Sequence, residues 1–74
     1  MEAWLKKYYE EALDYWNALN KKTRTIADVE DIYNTIVDFV ARDTGYTWGE
    51  AEKLVFDALD EDEKVMFDLI DDEI

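Results

Sequence analysis

The chain contains no cysteine, histidine, serine or proline, and its only glycines are Gly45 and Gly49. Without cysteine there is no disulfide staple. Without histidine and cysteine the usual zinc sites are excluded, as are Ser-His and Cys-His nucleophile pairs. Two separated glycines do not make a phosphate-cradling loop. Catalysis would have to rest on carboxylates, lysine, tyrosine or threonine, so the expectation is a protein that is not an enzyme and uses no cofactor and no metal. No apolar run is long enough for a membrane span or a signal-peptide core, which leads to the expectation of a soluble, cytoplasmic protein with no membrane partner. Positive charge is scarce as well: 8 Lys and Arg face 20 Asp and Glu, a net charge of −12.

What is present suits a small folded domain. The 74 residues are 49% apolar and 15% aromatic, enough for one core and too much for intrinsic disorder. The charge is unevenly spread. Residues 1–24 sum to +1, from Glu2, Glu10, Glu11 and Asp14 against Lys6, Lys7, Lys21, Lys22 and Arg24. Residues 25–74 sum to −13, relieved only by Arg42, Lys53 and Lys64. Direct binding to DNA, RNA or an anionic membrane is disfavoured by that sign, whereas a positively charged protein groove would attract it.

Apolar periodicity predicts an all-α fold: a small single-domain bundle of about four helices. A first helix over about Glu2–Lys21 places Leu5, Tyr9, Ala12, Trp16 and Leu19 on one face, with Trp4 and Tyr15 at its edge. A polar connector follows, with Thr25 as the expected cap and Asp28 as an approximate capping-box partner. The second helix, about Ile26–Asp43, buries Val29, Tyr33, Ile36, Val37 and Val40. Its far face is Asp28, Asp31, Thr35, Asp38 and Arg42, an acidic row that would ordinarily be a solvated surface. Gly45 is suited to a left-handed C-cap, and Thr47-Trp48-Gly49-Glu50 reads as a capping box opening the third helix. That helix is expected to bury Trp48, Ala51, Leu54, Val55, Ala58 and Leu59. Phe39, Tyr46 and Phe56 are the aromatics expected to offer contacts. Asp60 and Glu63 start a fourth helix over about Glu61–Glu73.

The last quarter of the chain carries the strongest signal. Residues 57–74 hold nine carboxylates against Lys64, yet Val65, Met66, Leu69, Ile70 and Ile74 recur at helical spacing. A helix of that length would run about 27 Å at ~1.5 Å per residue. That is one negative charge per roughly 3 Å, near the ~3.4 Å per phosphate of one DNA strand. Asp60 to Glu63 have a structural excuse at a helix N-terminus; Asp71, Asp72 and Glu73 crowd the unfavourable end. Such local rule-breaking points to function, although solubility also rewards net charge.

Two other motifs are set aside. Val40-Ala41, Gly45, Tyr46, Ala51 and Leu54 fit the positions of a helix-turn-helix, but its reading helix would begin Thr47-Trp48-Gly49-Glu50-Ala51-Glu52, which phosphates repel. Asp60-x-Asp62 opens like a calcium loop, but Lys64 stands at the fifth position and no glycine follows.

By composition and helical patterning over the whole chain, the sequence resembles the phage-encoded acidic DNA mimics that block restriction or CRISPR complexes. The resemblance implies a non-catalytic inhibitor docking acidic side chains where a basic nucleic-acid-binding protein holds phosphates, in the host cytoplasm. No motif carries residues over. The residues themselves nominate Asp28, Asp31, Asp38, Phe39, Tyr46, Phe56, Asp57, Glu61, Asp68, Asp71 and Asp72 as the partner-binding set, on a monomer or homodimer. The alternative is an antitoxin-like or scaffolding module that docks a basic partner through an apolar patch.

Overall fold

The chain folds into α1 (Ala3–Thr23), α2 (Val29–Thr44), α3 (Trp48–Ala58) and α4 (Glu61–Met66). A computed structural model describes residues 1–67 and 69, and the all-α fold read from the sequence holds over them. Among the described residues no helix is long and apolar enough to cross a membrane.

Each boundary has a local cause. α1 ends where Arg24 turns left-handed at φ 60° and returns its backbone N–H to the Asn20 carbonyl. Thr25 does not cap α2 as expected. Its hydroxyl lies 2.8 Å from that of Thr23, so it belongs to the end of α1. Asp28 is the cap, its carboxylate accepting from the Glu30 backbone N–H at 3.3 Å. α2 therefore starts three residues later than the sequence suggested, and Ile26 is left 95% exposed. Gly45 adopts φ 78° and closes α2 by donating to the Ala41 carbonyl, the left-handed cap that glycine provides without strain. Reciprocal capping boxes open α3 (Thr47 with Glu50) and α4 (Asp60 with Glu63).

The middle of the bundle is α2, which packs against both α1 and α3. Leu5 and Ala12 of α1, Tyr33, Ile36, Val37 and Val40 of α2, and Ala51, Val55 and Leu59 on the α3 side form the core with Phe67. Two expectations fail on α3. Trp48 and Leu54 remain 42% and 38% exposed, because only the Ala51–Val55 stripe of this short helix meets α2. Thr35, expected on the solvated far face, is buried: it accepts the Trp16 indole N–H at 2.8 Å and donates to the Asp31 carbonyl at 2.8 Å.

The fourth helix is shorter than expected. It ends at Met66, with Val65 and Met66 exposed rather than buried. Phe67 takes the buried place instead, its ring 6.1 Å from Tyr9 and 5.8 Å from Tyr33. Leu69 is partly buried against the core, in a non-helical conformation. Ile70 and Ile74, also assigned to that stripe, lie outside the described residues.

Candidate functional site

The described carboxylates fall into two groups. One group is occupied within the fold. Asp28, Glu50, Asp60 and Glu63 cap helices, and the Met1 amine sits 3.1 Å from Glu63. Asp43 accepts the Tyr8 hydroxyl at 2.9 Å and pairs with Arg42 at 2.8 Å, while Arg42 also reaches Glu11 at 3.3 Å. Asp38 accepts the Trp48 indole N–H at 2.8 Å, tying the start of α3 to the middle of α2.

These contacts shift the titration of Asp43, Tyr8 and Glu50. The Arg42 guanidinium, then the Tyr8 hydroxyl, hold Asp43 below the usual carboxylate range. The same hydrogen bond to Asp43, helped by burial, pushes the Tyr8 hydroxyl up. Glu50 is held low by the backbone and hydroxyl of Thr47.

The second group makes no hydrogen bond or ion pair among the described residues. It includes Asp31 on α2, Glu52 and Asp57 on α3, and Glu61 and Asp62 on α4. Glu30, on the first turn of α2, contributes only its backbone N–H to a cap. These side chains stand on helices whose starts are fixed by capping, so their positions are set by the fold rather than by ion pairing.

Between α2 and α3 the surface opens into a cleft of about 330 Å³. Asp28, Glu30 and Glu52 are the three acidic residues of its lining, with Tyr33, Phe67 and Leu69 as apolar wall. A second cleft of about 350 Å³ shares Tyr33, Glu52 and Leu69 and extends to Lys53 and Phe56. Tyr33 is 3% exposed yet lines both clefts, and its hydroxyl has no hydrogen-bond partner among the described residues. Burial, then the negative charge of Glu52, pushes that hydroxyl up to about 12.

The nominated partner-binding residues do not form one patch of equivalent groups. Asp31 is exposed, and Asp38 is exposed but engaged by Trp48. Asp28 is a helix cap that also lines the cleft. Phe39 is half-buried under the Arg42 guanidinium at 4.6 Å, with Tyr15 edge-on to it. Phe56 is likewise covered, by the Lys64 ammonium at 4.2 Å. Tyr46 is the nominated aromatic left open, at 50% exposure. Asp57 follows Glu50 and Leu54 at helical spacing, a different edge of α3 from Glu52 and Phe56. Glu61 is exposed on the first turn of α4, and Asp68, Asp71 and Asp72 lie outside the described residues.

Sequence reasoning missed the cleft. Tyr33 was legible as core, but Glu30, Asn34 and Glu52 drew no attention as solvated positions beside an apolar stripe. Their signal is positional: Glu30, Tyr33 and Asn34 share one edge of α2, and Glu52 and Phe56 one edge of α3. The two edges become neighbours only once the Gly45 turn folds α3 back on α2. No protein family matches this chain, and neither the curated proteins nor the solved structures compared with it give a match.

Proposed function

We propose that this protein is a non-catalytic inhibitor of a basic nucleic-acid-binding protein or complex, of the anti-restriction or anti-CRISPR kind, acting by presenting DNA-like negative charge. The observation that carries the reading is the set of exposed carboxylates without partners among the described residues, Asp31, Asp57, Glu61 and Asp62, held on capped helices. Side chains so placed do not have to break internal ion pairs before they meet a partner's lysines and arginines. Long-range attraction supplies rapid encounter, and fixed spacing supplies register. Of the nominated aromatics, Tyr46 is the exposed one and can add a desolvated contact.

The experiment is a pull-down from host lysate at low and high salt, with and without excess duplex DNA. A DNA-mimic partner is released by duplex DNA and by salt, because both compete for the same cationic groups. A target that holds this protein and its DNA together at once refutes the reading. Asn substitution of Asp68, Asp71 and Asp72 together is expected to preserve folding and weaken partner binding; unchanged binding moves the contact to α2 and α3.

The second reading, a scaffolding or antitoxin-like module, is favoured by one finding. Trp48 and Leu54 stay exposed on α3, and Val65 and Met66 stay exposed on α4. Association through such apolar groups survives in about 0.5 M salt, where screening has shortened the electrostatic range to a few ångströms. Salt dependence therefore separates the two.

A further inference from the structure

The cleft between α2 and α3 differs from the rest of the acidic surface. Elsewhere the partnerless carboxylates project from helix faces into solvent. Here Glu30 and Glu52 approach from two helices over an apolar wall formed by Phe67 and Leu69. The nine-tenths-buried Tyr33 brings to the same place a hydroxyl with no partner among the described residues. No buried side-chain nitrogen or oxygen among the described residues lacks a partner, so this hydroxyl is not sealed in the core but opens to the cleft.

We propose that this cleft is an anchor site for a single arginine side chain of the partner protein. The chemistry of the lining selects the ligand. Carboxylates from α2 and α3 offer acceptors on two sides, and the Tyr33 oxygen can accept a further N–H from within. Such a set suits a planar donor fork with five N–H groups better than a compact ammonium. Guanidinium is also the more weakly hydrated cation, which lowers the cost of entering a partly apolar cleft. Phe67 and Leu69 give the methylene stem a surface to lie on. Lys53 lines only the second cleft, and among the described residues no lysine or arginine lines the first.

The inference rests on the reading of the chain as a binder of basic proteins and adds to it a specific point of attachment. Its test needs no target protein. 15N-labelled protein is titrated with Nα-acetyl-arginine amide and, separately, with Nα-acetyl-lysine amide, while backbone amide shifts are followed. The expected result is saturable shifts at Glu30, Tyr33, Asn34 and Glu52, with arginine binding tighter than lysine and Glu10 and Asp14 on α1 little affected. Glu52→Gln weakens arginine binding about tenfold, the effect of losing a charge-assisted hydrogen bond. Tyr33→Phe, which keeps the ring, weakens it severalfold in a protein whose spectrum stays dispersed.

Equal shifts at Glu10 and Asp14, equal affinity for lysine, or unchanged binding in Glu52→Gln overturns the assignment. Should Tyr33→Phe fail to fold, Glu52→Gln, at a partly exposed position, decides alone. Competition with duplex DNA for the cellular target is read separately. Competition without arginine binding removes the anchor and leaves the mimic; arginine binding without competition does the reverse.

Discussion

Trp16 on α1 donates its indole N–H to the hydroxyl of Thr35 on α2 across 2.8 Å, and Thr35 in turn donates to the Asp31 carbonyl at 2.8 Å. One small polar residue thus satisfies one of the two tryptophans of α1 while keeping its own hydroxyl satisfied within α2. Thr35→Val preserves the shape and removes both bonds. The indole N–H then loses its acceptor in a half-buried site, so the variant is expected to lose about 1–3 kcal/mol. In a domain of this size each kcal/mol is worth about 4–8 °C of Tm, readable by thermal circular dichroism. Combined with Trp16→Phe the loss should be less than additive, since the second change removes the orphaned donor.

Alkaline pH gives a second test. Tyr33 is held at about 12 in the folded chain against 10.0 for the free side chain. The folded state therefore keeps a proton that the unfolded state releases first, and stability must fall as pH rises between those values. Below about 10 the contribution is complete; above about 12 it is gone. The full loss is at most about 2.7 kcal/mol. Urea unfolding from pH 9 to 12 should show this decline in the wild type and a flatter one in Tyr33→Phe, whose phenyl ring does not titrate. Equal slopes would place the hydroxyl in water.

The division of the carboxylates makes a third prediction, about stability rather than binding. Asp57→Asn removes a charge that pairs with nothing among the described residues and stands in the last turn of α3, the end where the macrodipole disfavours an anion. It is expected to raise Tm slightly in low salt, with the gain disappearing near 1 M salt, where the screening length is about 3 Å. Asp60→Ala removes a helix cap and should lower stability by about 0.5–2 kcal/mol at any salt concentration. Asp43, held low by Arg42 and Tyr8, contributes above the ordinary carboxylate range, and that contribution is lost as pH falls through its folded value. Asp43→Asn should therefore flatten the acid limb of the stability profile.

Much of the fold was legible because its signals are local. Gly45 needs only its own backbone freedom to end α2, and Thr47 with Glu50 completes a hydrogen-bonded box within four residues of chain. The start of α2 was misread because Thr25 and Asp28 are both good caps; the choice between them is made by Thr23, which engages the Thr25 hydroxyl. Helical spacing alone could not decide the buried face of α3. Trp48, Leu54, Ala51 and Val55 are all apolar, and which of them meets α2 depends on how the helices cross. The cleft was invisible for the same reason: Glu30 and Glu52 are 22 positions apart and carry no motif. Their proximity, like the Asp38–Trp48 hydrogen bond, is a property of the α2–α3 pairing and of nothing shorter.

The end of α4 supplies the last prediction, because there the periodicity pointed to the wrong side chains. Apolar spacing selected Val65 and Met66, yet they are 55% and 46% exposed, while Phe67 is 2% exposed between Tyr9 and Tyr33. The cause is the helix stop: Phe67 follows α4 with φ −87° and ψ 4°, so its side chain no longer obeys the rotation of the preceding turn. Phe67 bridges α1 and α2 from outside both helices, and nothing else described occupies that position. Phe67→Ala should therefore cost about 3–5 kcal/mol, a large part of the ~5–15 kcal/mol available to a small domain. Val65→Ala and Met66→Ala should cost well under 1 kcal/mol, since both side chains already meet water. Urea midpoints of the three variants decide the matter. If Met66→Ala proved as damaging as Phe67→Ala, the apolar face of α4 would be the one the spacing suggested, and Phe67 would not be the residue that closes the core.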